Sequence, residues 1–157
     1  MSLCSVHYHF AQRFQVPAQS AYEWCTDYDS GDPSLMHENA ERNVRRLSES
    51  TIILTDLYHV GDNRIRKLKL VNLYPHRLSW TSTHLTGPNK YSQFLYEIVP
   101  EGKEASRLEF DGLHLEQERT ENVNEERMEL SASRLRDDDA AAWRLLAAQM
   151  EKEQRGH

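Results

Sequence analysis

The sequence has few of the residues on which well-known binding motifs depend. Its 157 residues include two cysteines, Cys4 and Cys25, too few for a disulfide framework or for a zinc site of their own. Six glycines are scattered among turns, and no Gly-x-x-x-x-Gly-Lys or Gly-x-Gly-x-x-Gly phosphate cradle is present. A Gly-x-Ser-x-Gly nucleophile motif is also missing. We therefore expect two free thiols, no cofactor and no bound metal.

Long apolar runs and a basic surplus are missing as well. No stretch approaches the ~20 apolar residues of a membrane span, and the first ten residues lack the basic start and apolar centre of a signal peptide. The net charge is −6, whereas nucleic-acid binders need cations for phosphate contacts. The densest basic stretch, Arg64–Lys69, divides its charges between two strand faces. We expect a cytoplasmic protein with no membrane span and no nucleic-acid partner, and the oligomeric state stays open.

What the sequence does have is a series of strand-like segments. The first, residues 6–16, alternates apolar and polar residues and ends at Pro17. Further segments are separated by turn residues at roughly ten-residue intervals, which is typical of an antiparallel meander. They cover residues 41–49, 51–60, 64–74, 77–86, 90–99 and 105–116.

Helical patterns flank this meander. Pro17 opens a short helical segment with Ala21, Trp24 and Cys25 at helical spacing, and residues 29–39 predict a turn and a second short helix. Residues 118–154 contain no Gly or Pro and predict one long C-terminal helix. Its apolar stripe comprises Val123, Met128, Ala132, Leu135, Ala142, Trp143, Leu146 and Met150. The run Asp137-Asp138-Asp139 could interrupt this helix, and one of the three must lie near the stripe.

Three stretches together resemble a known superfamily. They are FQVPAQSAYEWCTDYD, YPHRLSWTSTHLTG and FLYEIVPEGKEASRLEF. They resemble the START-like (SRPBCC) superfamily, the helix-grip fold of polyketide cyclases, lipid-transfer domains and the birch-pollen allergen. The resemblance implies one α+β domain over residues 1–157, with a curved antiparallel sheet of about seven strands around the long C-terminal helix. It also implies two short helices after the first strand and, in many members, a ligand cavity between sheet and helix.

In such a fold, each strand presents alternate residues to the concave face. That face is mostly apolar, with polar groups that favour water or a ligand among them: Gln12, Asn72, Ser82, His84 and His114. For residues 64–74 the expected inward set is Leu68, Leu70 and Asn72. For residues 51–60 either the parity of Asp56 or that of His59 is possible. The candidate ligand-binding residues are Phe10, Gln12, Trp80, Ser82, His84, Tyr96, Phe110, His114 and Trp143.

Histidines supply the candidates for acid–base and metal chemistry. His84 and His114 lie on strands that are second neighbours in a meander, and either could act as a general base if a carboxylate oriented it. Asp56 and Asp139 are the possible partners. His7 and His9 share a strand face, which we expect to point outward, and no third ligand is indicated. His37 and Glu41 form a weaker pair, so no metal site is predicted.

Three functions fit these observations. The first is binding of a small hydrophobic or amphipathic molecule between the sheet and the C-terminal helix. The second is a cyclase or dehydratase that uses His84 or His114. The third is a protein-interaction module, like the chaperone-activating members of the superfamily, which acts through its surface and has no deep pocket.

Overall fold

The structure, a computed structural model, describes residues 1–28 and 40–156. These form seven strands, two α-helices and two short 3-10 turns. The second short helix predicted within residues 29–39 lies outside the described residues, and so does His37. The elements are β1 (Ser2–Phe14), α1 (Ala18–Cys25), β2 (Ala40–Arg46), β3 (Thr51–Val60), β4 (Asn63–Tyr74), β5 (Ser79–His84), β6 (Gln93–Glu101), β7 (Ala105–Glu118) and α2 (Glu125–Arg155).

The described strands form one antiparallel sheet in the order β1-β7-β6-β5-β4-β3-β2. β2 to β7 follow one another as a meander, and β1 pairs with β7 along its whole length. Phe10 faces Phe110 in this last pairing. The α+β class predicted from the series of segments and the helix-grip architecture implied by the resemblance are both confirmed.

Alternation determines which residues form the core. In β1 the even-numbered apolar residues from Cys4 to Phe14 are buried, as their parity predicts. In β3, Ile52, Leu54 and Asp56 are all almost completely buried, which decides between the two parities left open by the sequence. The buried carboxylate of Asp56 requires partners, and the side chains of Arg42 and Lys69 supply them.

The inward face predicted for β4 was wrong. Val71, instead of Leu70 or Asn72, is fully buried and lies opposite Ser82 of β5. Leu68, Leu70 and Asn72 therefore face outward, and the Asn72 side chain accepts a hydrogen bond from Thr51 Oγ1 at 3.3 Å. The physical reason for this orientation of β4 is the buried carboxylate of Asp56 in β3. When Val71 points inward, Lys69 also points inward and its Nζ reaches that carboxylate.

Helix α2 begins later than predicted, at Glu125. Asn124 caps it by accepting a hydrogen bond from the Arg127 backbone N–H at 2.8 Å. The aspartate run does not interrupt the helix, and Asp139 is the one of the three that is partly buried. Leu146, Ala147 and Met150 are buried in the core. Among the described residues, no helix combines the length and the apolar character needed to cross a membrane.

Candidate functional site

A cavity of about 120 Å³ lies between the sheet, α1 and α2; we call it the inner cavity. Its aromatic lining consists of Trp24, Tyr28, Trp80, Tyr96 and Trp143. Its aliphatic and thiol lining consists of Cys25, Leu54, Val71 and Leu146, and its polar lining of Arg42, Lys69 and Ser82. Apolar walls with a few polar anchors are typical of small-molecule sites.

The aromatic wall is built by neighbouring strands and completed by the helix. Trp80 of β5 faces Tyr96 of β6 in the register, and their rings stack with centroids 4.7 Å apart and planes 1° from parallel. Trp143 of α2 approaches Tyr96 with centroids 5.9 Å apart. These contacts hold the rings in fixed orientations, so the wall is a preformed surface for a flat apolar ligand.

The polar side of the inner cavity is an ion cluster around Asp56. Arg42 donates to both carboxylate oxygens, with Nε at 2.7 Å and Nη2 at 3.0 Å, and Lys69 Nζ lies 3.0 Å from Oδ2. Tyr58 donates its hydroxyl to Oδ2 at 3.4 Å. The Asp56 side chain is fully buried, and those of Arg42 and Lys69 are 12% and 19% exposed. Such pairs are far less screened than surface ion pairs.

Burial and these partners act on the pKa values of the cluster. Burial by itself raises the pKa of Asp56, but the hydrogen bonds and charges of Arg42 and Lys69 outweigh it, so this pKa lies below its usual range. Burial lowers the pKa of Lys69 below its usual range, and the charge and hydrogen bond of Asp56 offset this only in part. Burial and the Asp56 charge raise the pKa of Tyr58 to about 12. Asp56 is therefore an anion at neutral pH and Tyr58 a neutral donor.

The two predicted histidines point inward near one another but do not line the inner cavity. His84 lies opposite Lys69 in the register, and its ring centroid is 5.0 Å from that of Phe94. Burial, together with the charges of Lys69 and Lys67, lowers the pKa of His84 to about 4. His114 is buried, and burial lowers its pKa against the charge of Glu116, whose Oε2 is 3.5 Å from its Nε2.

A second helix contact lies on the β1 side of the sheet. Tyr8 donates its hydroxyl to Asp139 Oδ2 at 2.5 Å. Burial raises the pKa of Asp139, although the Tyr8 hydrogen bond acts the other way. Gly112 faces Tyr8 in the register, and a Cβ at Gly112 would come within 2.8 Å of two Tyr8 ring carbons. The missing side chain at Gly112 therefore makes room for the Tyr8 ring.

Four of the nine candidate ligand-binding residues line the inner cavity: Trp80, Ser82, Tyr96 and Trp143. Phe10 and Phe110 instead stack on each other in the core, with centroids 4.6 Å apart. Gln12 is partly buried and donates to the Arg13 carbonyl. Among the described residues, no fully buried side-chain nitrogen or oxygen lacks a hydrogen-bond partner. Phe10, Gln12, Phe110 and both histidines thus lie outside the inner cavity.

Sequence reasoning missed most of the polar lining. Arg42 and Lys69 were absent from the candidates because β2 was not assigned a face and β4 was assigned the wrong one. The available signal was Asp56: on the inward parity of β3 it needs a cation, and the facing parity of β4 offers Lys67, directly opposite Asp56, and Lys69, whose Nζ lies 3.0 Å from the carboxylate. Trp24 and Cys25 were recognised as one helix face but not as cavity lining.

The opposite face of the sheet carries a larger groove of about 480 Å³, the outer groove, whose lining includes Thr81, Thr83, Leu95, Asp111 and Leu113. It is bounded by the sheet alone, whereas helices also enclose the inner cavity. Small-molecule sites bury most of the surface of their ligand. Enclosure therefore favours the inner cavity despite its smaller volume.

The two histidines on the outward face of β1, His7 and His9, lie close to carboxylates of β7. His9 Nε2 lies 2.9 Å from Glu109 Oε2, and His7 Nε2 lies 3.6 Å from Asp111 Oδ1. This arrangement is a set of exposed pairs. Within residues 1–28 and 40–156, no group of three or more His, Cys, Asp or Glu side chains is arranged to hold a metal ion.

Comparison with known proteins identifies the fold. No family model matches the chain, and no curated protein matches it in sequence. Solved structures do match it. Zhui aromatase/cyclase from Streptomyces sp. R1128 has a TM-score of 0.72 at 12% identity, covering 95% of each chain. Norcoclaurine synthase from Thalictrum flavum, solved in complex with dopamine and hydroxybenzaldehyde, has a TM-score of 0.68 at 13% identity, covering 99% of this chain and 90% of that chain.

A third similar structure is Ara h 8.0201, with a TM-score of 0.69 at 5% identity, covering 94% of this chain and 98% of that chain. All three have the START-like (SRPBCC) helix-grip fold, and this chain has the same fold. The fold that the resemblance implied is thereby confirmed. Because a fold of this kind serves several functions, the activity must be argued from the site.

Proposed function

We propose that this protein binds a small hydrophobic or amphipathic molecule in the inner cavity. The observation that carries the proposal is the preformed aromatic wall of Trp80, Tyr96 and Trp143, enclosed between sheet and helix. Burial of apolar ligand surface against these rings supplies the free energy of binding. The complex of the similar norcoclaurine synthase with two small aromatic compounds supports the proposal.

The volume limits the ligand to a small one. A dry protein cavity of about 150 Å³ is known to bind benzene, and the inner cavity measures about 120 Å³. One aromatic ring is therefore the expected size in the conformation described here. The polar lining of Ser82, Arg42 and Lys69 is placed to orient a polar end of such a ring.

The other two functions receive less support. A cyclase or dehydratase that uses His84 or His114 requires one of these rings to reach the bound molecule, and neither lines the inner cavity. An interaction module without a deep pocket requires a filled interior, which does not fit the cavity found here. Ligand binding is thus the function that the geometry supports best.

A cavity-filling substitution tests the proposal. Ser82 is buried and lines the inner cavity, so Ser82→Leu should fill part of it and weaken binding of phenol, toluene or indole at least tenfold. Thr83→Leu is the matched control, because Thr83 is the next residue and faces the outer groove. Titrations followed by tryptophan fluorescence and by NMR shifts give the affinities.

Two results would overturn the proposal. In the first, the wild-type protein binds none of these single-ring compounds. In the second, Thr83→Leu weakens binding while Ser82→Leu leaves it unchanged, which would move the site to the outer groove. Unfolding curves of both variants establish that each is folded under the conditions of the titration.

A further inference from the structure

Lys69 is one of the residues that line the inner cavity. Lys69 lies on the inward face of β4, two residues before the buried Val71, and opposite His84 of β5. Its Nζ lies 3.0 Å from Asp56 Oδ2, and this ion pair opposes the lowering of the Lys69 pKa by burial. A lysine ammonium has three N–H donors in total. Asp56 is shared with Arg42, so one carboxylate serves two cations.

Other charges on this face add to the positive potential. Lys67 lies on the same face of β4, with its Nζ 5.4 Å from the Tyr58 ring centroid. His84, next to Lys69, is neutral at pH 7, so it contributes no charge of its own. Among the described side chains that line the inner cavity, Arg42 and Lys69 are the charged ones, and both are cations. A low-dielectric wall strengthens their attraction for an anion.

The two cations and the aromatic wall line the same inner cavity, whose volume fits one ring. Trp80 and Ser82 lie on the strand next to Lys69, and Val71 lies opposite Ser82. We propose that the ligand is a small aromatic acid, whose ring packs on Trp80 and Tyr96 while its carboxylate accepts from Lys69. The inference rests on the proposed function and narrows its ligand class. A charge-assisted hydrogen bond of this kind is stronger than one between neutral groups.

A pair of isosteric ligands tests the charge preference in the wild-type protein. Benzoate and benzamide have nearly the same shape, and benzoate is anionic at neutral pH. We expect benzoate to bind at least tenfold more tightly than benzamide by calorimetry at pH 7, and the difference to shrink in high salt. Equal affinity, or tighter binding of benzamide, overturns the aromatic-acid inference. Binding of benzamide or toluene would then leave the proposed function standing, whereas binding of no single-ring compound would remove both.

Variants then assign the preference to Lys69. Lys69→Met keeps the length of the side chain and should reduce benzoate binding to within about twofold of benzamide, with benzamide binding unchanged. Lys103→Met, in an exposed turn, is the control and should leave the preference intact. If Lys69→Met does not fold, Lys69→Arg retains the charge, and Ser82→Leu still reports the location. Benzoate binding that neither Lys69→Met nor Ser82→Leu weakens would place the anion elsewhere and overturn the inference.

Discussion

Lys69 and His84 lie opposite each other in the antiparallel register of β4 and β5, both facing the interior. Burial, together with the charge of the neighbouring Lys69, lowers the pKa of His84 to about 4. His84 is consequently a neutral ring at physiological pH. A neutral imidazole beside a lysine is compatible with binding a ligand, but His84 carries no charge to offer it.

The low pKa of His84 predicts a loss of stability in mild acid. Because the folded pKa lies below the ordinary value of about 6.5, the unfolded chain takes up the proton first. The stabilising effect of the neutral ring is complete above pH 6.5 and decreases as the pH falls from 6.5 towards 4. We expect His84→Gln to flatten the dependence of the urea midpoint on pH between pH 7 and pH 5.

The control for this experiment is His76→Gln, since His76 lies in an exposed 3-10 turn. His114 also has a lowered pKa and retains part of the slope in His84→Gln. An identical slope in wild type and His84→Gln would show that His84 does not titrate as its surroundings indicate.

Removing the charge of Asp56 should be severely destabilising. Asp56→Asn leaves the buried cations Arg42 and Lys69 without their shared anion, and breaking a buried pair costs about 3–5 kcal/mol. Asp111→Asn, on the exposed outer face, should change the free energy of unfolding by less than about 1 kcal/mol. Chemical denaturation of the two variants measures both values. Similar small losses in both would contradict the assignment of Asp56 as the buried anion of the cluster.

The sheet and the long helix were predictable from the sequence, whereas much of the site was not. Alternation in β1 and β5 placed Tyr8, Phe10, Trp80 and Ser82 inward because large apolar residues occupy one parity. In β4 lysines and leucines alternate, so hydrophobic period favoured Leu68 and Leu70 over Lys69. In the structure the ion pair between Lys69 and Asp56 sets the opposite parity, with Lys69 inward. An ion pair between two strands cannot be recognised from the pattern of one strand alone.

The negative charge of Asp139 should lower the free energy of unfolding at neutral pH. Burial raises its pKa, so the charged form is disfavoured in the folded protein at neutral pH. Asp139→Asn removes the charge and keeps an acceptor for the Tyr8 hydroxyl. We expect this variant to have an unchanged or higher free energy of unfolding at pH 7, while the gain disappears in acid, where Asp139 is protonated. Asp138→Asn, one residue earlier and exposed, is the control; a clear loss of stability in Asp139→Asn alone would contradict this account.

Gly112 should tolerate no side chain while the Tyr8 ring is in place. Gly112→Ala puts a Cβ within 2.8 Å of the ring, and overpacking of this kind costs about 1–3 kcal/mol. In a double-mutant cycle, Tyr8→Leu should remove most of that cost, because it removes the ring carbons that clash. Additive losses of unfolding free energy in the double variant would mean that Gly112 is required for another reason.

The most direct test of ligand binding in the inner cavity is a crystal structure of the protein grown with 4-bromophenol, located by the anomalous scattering of bromine. Binding in the inner cavity predicts a bromine peak between sheet and helix, beside Trp80, Tyr96 and Trp143. A peak confined to the outer groove, beside Thr81 and Leu113, or no peak in a crystal grown at a saturating concentration of 4-bromophenol, would contradict binding in the inner cavity.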